Sequence, residues 1–375
     1  MDLRFMIKDS NKEVFFELLR AGLWEKEVRL SPNKDIDYSS ILKLAEEQSV
    51  VGLVAAGLEH VVDVKVPQQW ALRFASQAMQ LEQWNKAMNA FVAKLISKLR
   101  EKDIYTLLVK GQGIAQCYER PLWRACGDVD LLLNSEDYEN TKSFLALIAD
   151  SDEEEVEYRL HKAYYINGYE VELHGNLRGR FLRRVDKVID EIQRYTFDNH
   201  KYRGWNKGGV DVLLPSPDCD VFFVFTHILQ HFFIEGVGLR QICDWCRLLF
   251  TYRDSFNHEL LKSRLNKAGI MTEWKAFAAL TVEYLGMPVD AMPFYDSRFK
   301  IKGEKVMGFV FKTGNFGHNR HANETYKYPV VVRKAISFCR HTCDGFRFFR
   351  MFPLDAVKIW IEMIGTGFHV AVKGL

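Results

Sequence analysis

The chain has no uninterrupted apolar run of membrane length. Its most apolar late stretch, residues 355–372, is broken by Asp355, Lys358, Glu362, Gly365 and Gly367, so no transmembrane segment is expected. The first nine residues carry neither a long apolar core nor a small-residue cleavage site. The expectation is therefore no signal peptide, and a cytoplasmic protein. An excess of either charge is missing too. With 51 Lys+Arg against 49 Asp+Glu, the net charge of +2 gives no whole-molecule field, and generic nucleic-acid binding is disfavoured. Seven cysteines, an odd number scattered over a long chain, exclude a disulfide framework and read as reduced thiols. Cys243 and Cys246 are spaced C-x-x-C, but no second such pair completes four zinc ligands. The P-loop spacing and the Rossmann glycine fingerprint are both absent, as are internal repeats.

At 375 residues, 48% hydrophobic and 27% charged, the chain is a globular protein with room for two or three lobes. Residues 1–100 are mostly helical in pattern. Apolar spacing predicts helices over Asn11–Arg20, over Ser39–His60 with Ser39 or Ser40 as cap, and over Gln68–Arg100. Residues 101–215 mix strands and helices. They end at Pro215-Ser216-Pro217, and residues 216–375 are again mainly helical. The fold class is α+β, a small mixed β-sheet core flanked by N-terminal and C-terminal helical regions.

The most informative stretch is Gly127-Asp128-Val129-Asp130-Leu131-Leu132-Leu133. Side chains alternate along a strand, so Asp128 and Asp130 project from one face with their carboxylates a few ångströms apart. Like charges that close are costly unless a proton or cation is shared. A hard divalent ion such as Mg²⁺, with substrate phosphates completing its shell, suits such a pair.

Upstream, the β-rich run Ile104–Val109 leads into Lys110-Gly111-Gln112-Gly113 and a short helical segment. A strand, a glycine turn and a helix can present backbone N–H groups to phosphate, with Lys110 and the fork of Arg124 adding positive charge. Downstream, residues 164–174 read as a hairpin turning at Asn167-Gly168. Its second strand carries Glu172 between Val171 and Leu173, a candidate third carboxylate, and His174 on the same face.

This succession resembles the DNA polymerase beta-type nucleotidyltransferase superfamily. More narrowly, the chain resembles the uncharacterised nucleotidyltransferase family found in bacterial polysaccharide-biosynthesis settings. The residues that carry the likeness are Val109-Lys110-Gly111, Arg124 with Asp128-Val129-Asp130-Leu131-Leu132, Glu172-Leu173-His174, His227 with His231, and Leu239, Asp244 and Leu248-Leu249. The resemblance implies a metal-dependent nucleotidyltransferase that moves a nucleotidyl group from a nucleoside triphosphate to a hydroxyl acceptor, with a sugar, a polysaccharide precursor and a protein as the open alternatives. Asp128, Asp130 and Glu172 would hold Mg²⁺ or Mn²⁺. Lys110, Gly111, Arg124, His174, His227 and His231 would contact the nucleotide. The chain departs from the superfamily at its first turn, which reads Lys-Gly-Gln in place of Gly-Ser, and in a long interval between Gly111 and Asp128. That departure motivates a second reading, a catalytically silent scaffold that keeps the fold to bind a nucleotide or a partner.

Three further features complete the reading. His227 and His231 share a helix face amid Phe222, Phe223, Phe225, Phe232 and Phe233, and could contact triphosphate, act as a base, or bond to Asp244. Arg178, Arg180, Arg183 and Arg184 are more simply a solvated face than an anion site. The glycine-bounded loop Thr313–Arg320 could lid a site, and the basic and aromatic stretch Arg333–Arg350 could meet nucleic acid such as RNA or an anionic membrane surface, although an amphipathic helix is the commoner use of such a pattern.

Overall fold

Alternation in residues 128–133 decides how the middle of the chain folds. The computed structural model describes residues 9–32, 35–155, 160–179, 181–315, 328 and 330–361. Among them, seven strands form one mixed sheet: β1 (Leu107–Val109), β2 (Asp128–Leu132), β3 (Ser151–Asp152), β4 (His161–Ile166), β5 (Tyr169–His174), β6 (Tyr202–Lys207) and β7 (Val210–Pro215). Their order is β3-β4-β5-β2-β1-β7-β6, with β2 parallel to β5, β1 parallel to β7, and the other neighbours antiparallel. Two hairpins set the register. One turns at Asn167-Gly168 (φ 51° and 80°) and the other at Gly208-Gly209 (φ 58° and 83°). Paired positive φ angles give the turn twist that hairpins favour, which Asn and Gly adopt at little cost.

One sheet face is apolar. Leu108, Val129, Leu131, Val171 and Leu173 pack on Met88, Val92, Leu95 and Ile96 of α4 (Gln68–Arg100) and on Tyr138 and Leu145 of α6 (Ser135–Ile148). The opposite face belongs in part to a larger core with Leu107, Val109 and Leu132. That core joins α1 (Asp9–Trp24) and α3 (Val51–Glu59) to α8 (Pro217–Ile234), α9 (Leu239–Thr251), α11 (Met271–Leu285) and α12 (Lys300–Thr313). Helix α8 is apolar around most of its circumference and is accordingly buried; Phe225 stacks on Trp245 and meets Trp274 edge-on. Pro217 opens α8 at the first helical position, where a missing N–H costs nothing.

The N-terminal half corrects one expectation. The helical pattern over 39–60 is two helices, α2 (Tyr38–Glu47) and α3, separated at Gln48-Ser49-Val50 with Ser49 at φ 55°. The cap is Asp37, not Ser39 or Ser40. Its carboxylate accepts the N–H groups of both serines at 3.0 and 3.2 Å, and the Ser40 hydroxyl donates to it at 2.6 Å. Gln48 explains the break. Buried there, it accepts the Leu239 N–H through its side chain (3.0 Å) and the Arg240 N–H through its backbone (3.3 Å), which ties the interruption to the start of α9. Cys243 and Cys246 are both buried on α9.

The segment 333–350 lies on α13 (Val330–Met351), where Arg347 pairs with Asp344 at 2.7 Å. Of the loop 313–320, residues 316–320 lie outside the described residues, as do 362–375. No helix among the described residues is long and apolar enough to cross a membrane.

On α11, Glu273 is buried close to Asp355, which pairs with Arg184. Burial first, and the Asp355 carboxylate second, push the Glu273 carboxyl from 4.5 up to about 9. A folded-state value above the unfolded one means its contribution to stability is full below about 4.5 and declines as pH rises toward about 9. Glu273→Gln should therefore flatten the fall in stability between about 4.5 and about 9 and leave the variant more stable than wild type toward the upper end of that range. Denaturant unfolding across that range checks this, and parallel pH profiles for the two proteins would contradict it.

Candidate active site

Strand register, more than proximity in sequence, assembles the polar centre. The parallel pairing of β2 and β5 sets Asp130 opposite Glu172 and Asp128 opposite Glu170, while the antiparallel pairing of β4 and β5 sets His161 opposite His174. Since residues two apart share a face, Asp128, Asp130, Glu172, His174 and His161 all rise from one side of the sheet. Asp128, Asp130 and Glu172 each offer a carboxylate oxygen within 4.8 Å of the others.

Three carboxylates crowded near the protein interior need compensation. Asp130 is 1% exposed, and Lys110 Nζ sits 2.5 Å from its Oδ1. His174 Nε2 lies 2.8 Å from the same oxygen and 3.3 Å from Glu172 Oε2, and His161 Nε2 lies 3.1 Å from Glu172 Oε2. Burial alone would pull the Lys110 ammonium down, but Asp130, Glu172 and Asp128 outweigh it and hold it above its ordinary range. Burial raises the Asp130 carboxyl, with the Lys110 charge the main opposing influence. At Glu172 burial again favours the neutral form, yet the hydrogen bonds from His161 and His174 and the Lys110 charge prevail and lower it far below the usual range. His174 is raised, since its two carboxylate partners overcome burial.

The backbone accepts a local cost to place that ammonium. Lys110, the residue after β1, has φ 58° and ψ −148°, a region that residues with a Cβ seldom occupy. Gly111 follows at φ 39° and opens the short helix α5 (Gly111–Ala115) beside the Asp128 carbonyl. The structure therefore holds a strained lysine over its acidic cluster, where a simple strand-to-helix turn would relax. Lys110→Met should lower stability by about 3 kcal/mol in the absence of divalent ions, the usual result of removing one partner of a buried pair. The same variant should gain more in melting temperature from Mg²⁺ than wild type does, because the cation then meets carboxylates with no competing ammonium. Equal Mg²⁺ shifts in the two proteins would contradict this assignment.

Lys110, Asp128, Glu172, His174, His227 and His231 line one cleft of about 220 Å³ between the sheet and α8. Asp130 does not line the cleft and is joined to it by the Lys110 ammonium, 2.5 Å from its Oδ1. On α8, His227 Nε2 and His231 Nε2 are 3.1 Å apart, and Glu235 Oε2 lies 3.1 Å from His231 Nδ1. Burial, reinforced by the nearby Lys110 charge, lowers His227 well below its ordinary value, so it is neutral at neutral pH.

Asp244 serves a different pair of side chains. It accepts from the Tyr118 hydroxyl (2.8 Å) and from Arg124 Nε and Nη2 (3.1 and 2.5 Å). Arg124 is thus buried in a bidentate ion pair and does not line the cleft. Arg178 does line it, paired with Asp190 at 2.6 Å. His161 escaped sequence reasoning, although counting outward from the Asn167-Gly168 turn would have placed it opposite His174. Gln230, Asn176 and Glu235, also in the cleft, gave no sequence signal of their own.

The model of one family, described as uncharacterised nucleotidyltransferase, matches residues 34–286, about two thirds of the chain and every cleft residue named above. The chain belongs to that uncharacterised nucleotidyltransferase family. Comparison with curated proteins finds no match. Among solved structures, the chain is similar to an antigenic nucleotidyltransferase-like protein from Paracoccidioides brasiliensis, at 16% identity and a TM-score of 0.33, over 54% of this chain and 93% of that one. Family membership makes a nucleoside triphosphate the expected substrate class and gives the acidic cluster its context. The donor set also fits a divalent cation on chemical grounds. Asp128, Asp130 and Glu172 supply hard anionic oxygens, and the Lys110 ammonium already marks the spot where positive charge is stabilised.

Proposed function

We propose that this protein transfers a nucleotidyl group from a nucleoside triphosphate to a hydroxyl acceptor in the cleft between β2, β5 and α8. The observation that carries the reading is the convergence of Asp128, Asp130 and Glu172 under Lys110. Asp128, Asp130 and Glu172 would hold Mg²⁺ or Mn²⁺. Such an ion, when bound, neutralises phosphate charge and stabilises the attacking and leaving oxygens of an in-line displacement.

The protein's own groups do the rest. The acceptor hydroxyl attacks the α-phosphorus, a new P–O bond forms, and the bond to pyrophosphate breaks. Lys110 supplies charge to the phosphates, and the Lys110-Gly111 turn brings backbone close to them. His227 takes the hydroxyl proton once the negative charge of the bound triphosphate offsets the burial and the Lys110 charge that otherwise keep it neutral, with His231 and Glu235 behind it to orient the ring. Arg124 acts at one remove. Its pair with Asp244 fixes the loop that enters β2 at Asp128. Positioning and charge neutralisation carry most of the rate in transfers of this kind. For the acceptor hydroxyl the reading keeps three alternatives, a sugar, a polysaccharide precursor or a protein.

The test uses the four nucleoside triphosphates, each labelled once at the α-phosphate and once at the γ-phosphate, incubated with the protein and a lysate supplying acceptors. Metal-dependent appearance of α-label, without γ-label, on an acceptor is the expected result. Transfer of γ-label alone would replace the reading with phosphoryl transfer. No transfer of either label from any nucleotide would favour the silent scaffold.

A further inference from the structure

The acidic cluster has a second set of donors attached to it. His161, Glu172 and His174 form a group whose ligand atoms also lie within 4.8 Å of one another, and Glu172 is common to both groups. The two imidazole nitrogens converge on one carboxylate oxygen, His161 Nε2 at 3.1 Å and His174 Nε2 at 3.3 Å from Glu172 Oε2. Ligand atoms about 2.0 to 2.1 Å from a tetrahedral ion stand about 3.4 Å apart along each edge, so these hydrogen-bonding separations also match two edges of a metal site, which His174 Nε2 would join by giving up its 2.8 Å contact with Asp130 Oδ1. The rings are fixed by adjacent antiparallel strands, with centroids 4.9 Å apart at 45°. All three residues are partly exposed and face the cleft, which leaves an ion open to exogenous ligands.

We propose that His161, Glu172 and His174 bind a borderline transition-metal ion, of the class of Zn²⁺ or Co²⁺, at a position distinct from the all-oxygen site of Asp128, Asp130 and Glu172. The inference rests on the reading that the three carboxylates hold a hard cation, because Glu172 would be shared between the two. The donor chemistry separates them. Imidazole nitrogen suits Zn²⁺ and its neighbours, whereas Mg²⁺ demands oxygen. Two imidazoles and one carboxylate are also the protein ligands of catalytic zinc sites, which keep a further position for water or substrate. The cleft therefore has one address for a hard ion, between β2 and β5, and one for a borderline ion, between β4 and β5, meeting at Glu172.

Metal-free protein titrated with Co²⁺, a spectroscopically visible substitute for Zn²⁺, tests this without any nucleotide. Wild type should bind Co²⁺ with the visible absorption of a low-coordinate, nitrogen-ligated ion, displaced by Zn²⁺ and not by Mg²⁺. His161→Gln and His174→Gln should each weaken that binding about 100-fold, the upper end of what even an outer-sphere change costs. Asp128→Asn should leave the Co²⁺ spectrum in place while weakening the Mg²⁺-induced rise in melting temperature. A wild-type spectrum that stays that of the aqueous ion would overturn the proposal. So would bands unchanged in both histidine variants, or bands abolished by Asp128→Asn as fully as by His161→Gln. A failure of nucleotidyl transfer, by contrast, leaves the Co²⁺ result standing, so the two readings fail separately.

Discussion

Asp128→Asn combined with Asp130→Asn reduces metal-dependent nucleotidyl transfer by at least ~10³-fold, about 4 kcal/mol of transition-state stabilisation, while the fold survives. The size follows from what the two side chains share. Both rise from the same face of β2, within reach of Glu172, and asparagine keeps their volume while removing two of the three anionic charges. Stability should fall by about 3 kcal/mol, as for Lys110→Met, because the buried Lys110 ammonium loses its carboxylate partner, although the amide oxygen at 130 can still accept its hydrogen bond and Glu172 remains nearby. Initial rates with saturating nucleotide, together with circular dichroism, check both halves. Activity within a factor of about three of wild type would sink the carboxylate mechanism.

The second large effect is on stability. Arg124→Ala should cost about 3–5 kcal/mol, as should Asp244→Ala, because each leaves its buried partner uncompensated. Arg124 is 7% and Asp244 3% exposed, and the pair is bidentate, with Tyr118 as a third member. A double-mutant cycle with Arg124→Met and Asp244→Leu separates the pair's own energy from the penalty of orphaning either charge, and the double variant should be markedly more stable than either single one. Equilibrium unfolding measures all four proteins. Single variants within about 0.5 kcal/mol of wild type would contradict a buried structural pair.

This pair also shows where sequence reasoning reached its limit. A basic residue four positions before the first aspartate has the spacing of a phosphate ligand, and spacing alone cannot reveal that its guanidinium turns toward a helix 120 residues later. The strand alternation at Asp128 and Asp130, the turn at Asn167-Gly168, and the carboxylate at Glu172 were legible, because period-2 patterning and hairpin chemistry are local properties. The β2–β5 register that sets Asp130 against Glu172 was not, since parallel pairing is decided by the packing of both faces. Likewise, α2 and α3 share one apolar rhythm, and only the docking of Gln48 against Leu239 and Arg240 reveals the break between them. His161 fell between the two cases: its partner and the Asn167-Gly168 turn were identified, yet the hairpin was read only from residue 164, three residues short of it.

A nucleotidyltransferase cleft of this kind has to bind a nucleoside triphosphate together with a divalent cation. The most direct measurement is the melting temperature of wild type with ATP, GTP, CTP or UTP, each with and without Mg²⁺ or Mn²⁺. Ligand that binds only the folded state raises that temperature by mass action, by about 2.7 kcal/mol of stability at a hundred times the dissociation constant. With at least one nucleotide the temperature should rise only when the metal is present, and the rise should disappear in Asp128→Asn/Asp130→Asn. A shift that persists in that variant, or no metal-dependent shift with any of the four, would contradict nucleotidyl transfer in this cleft.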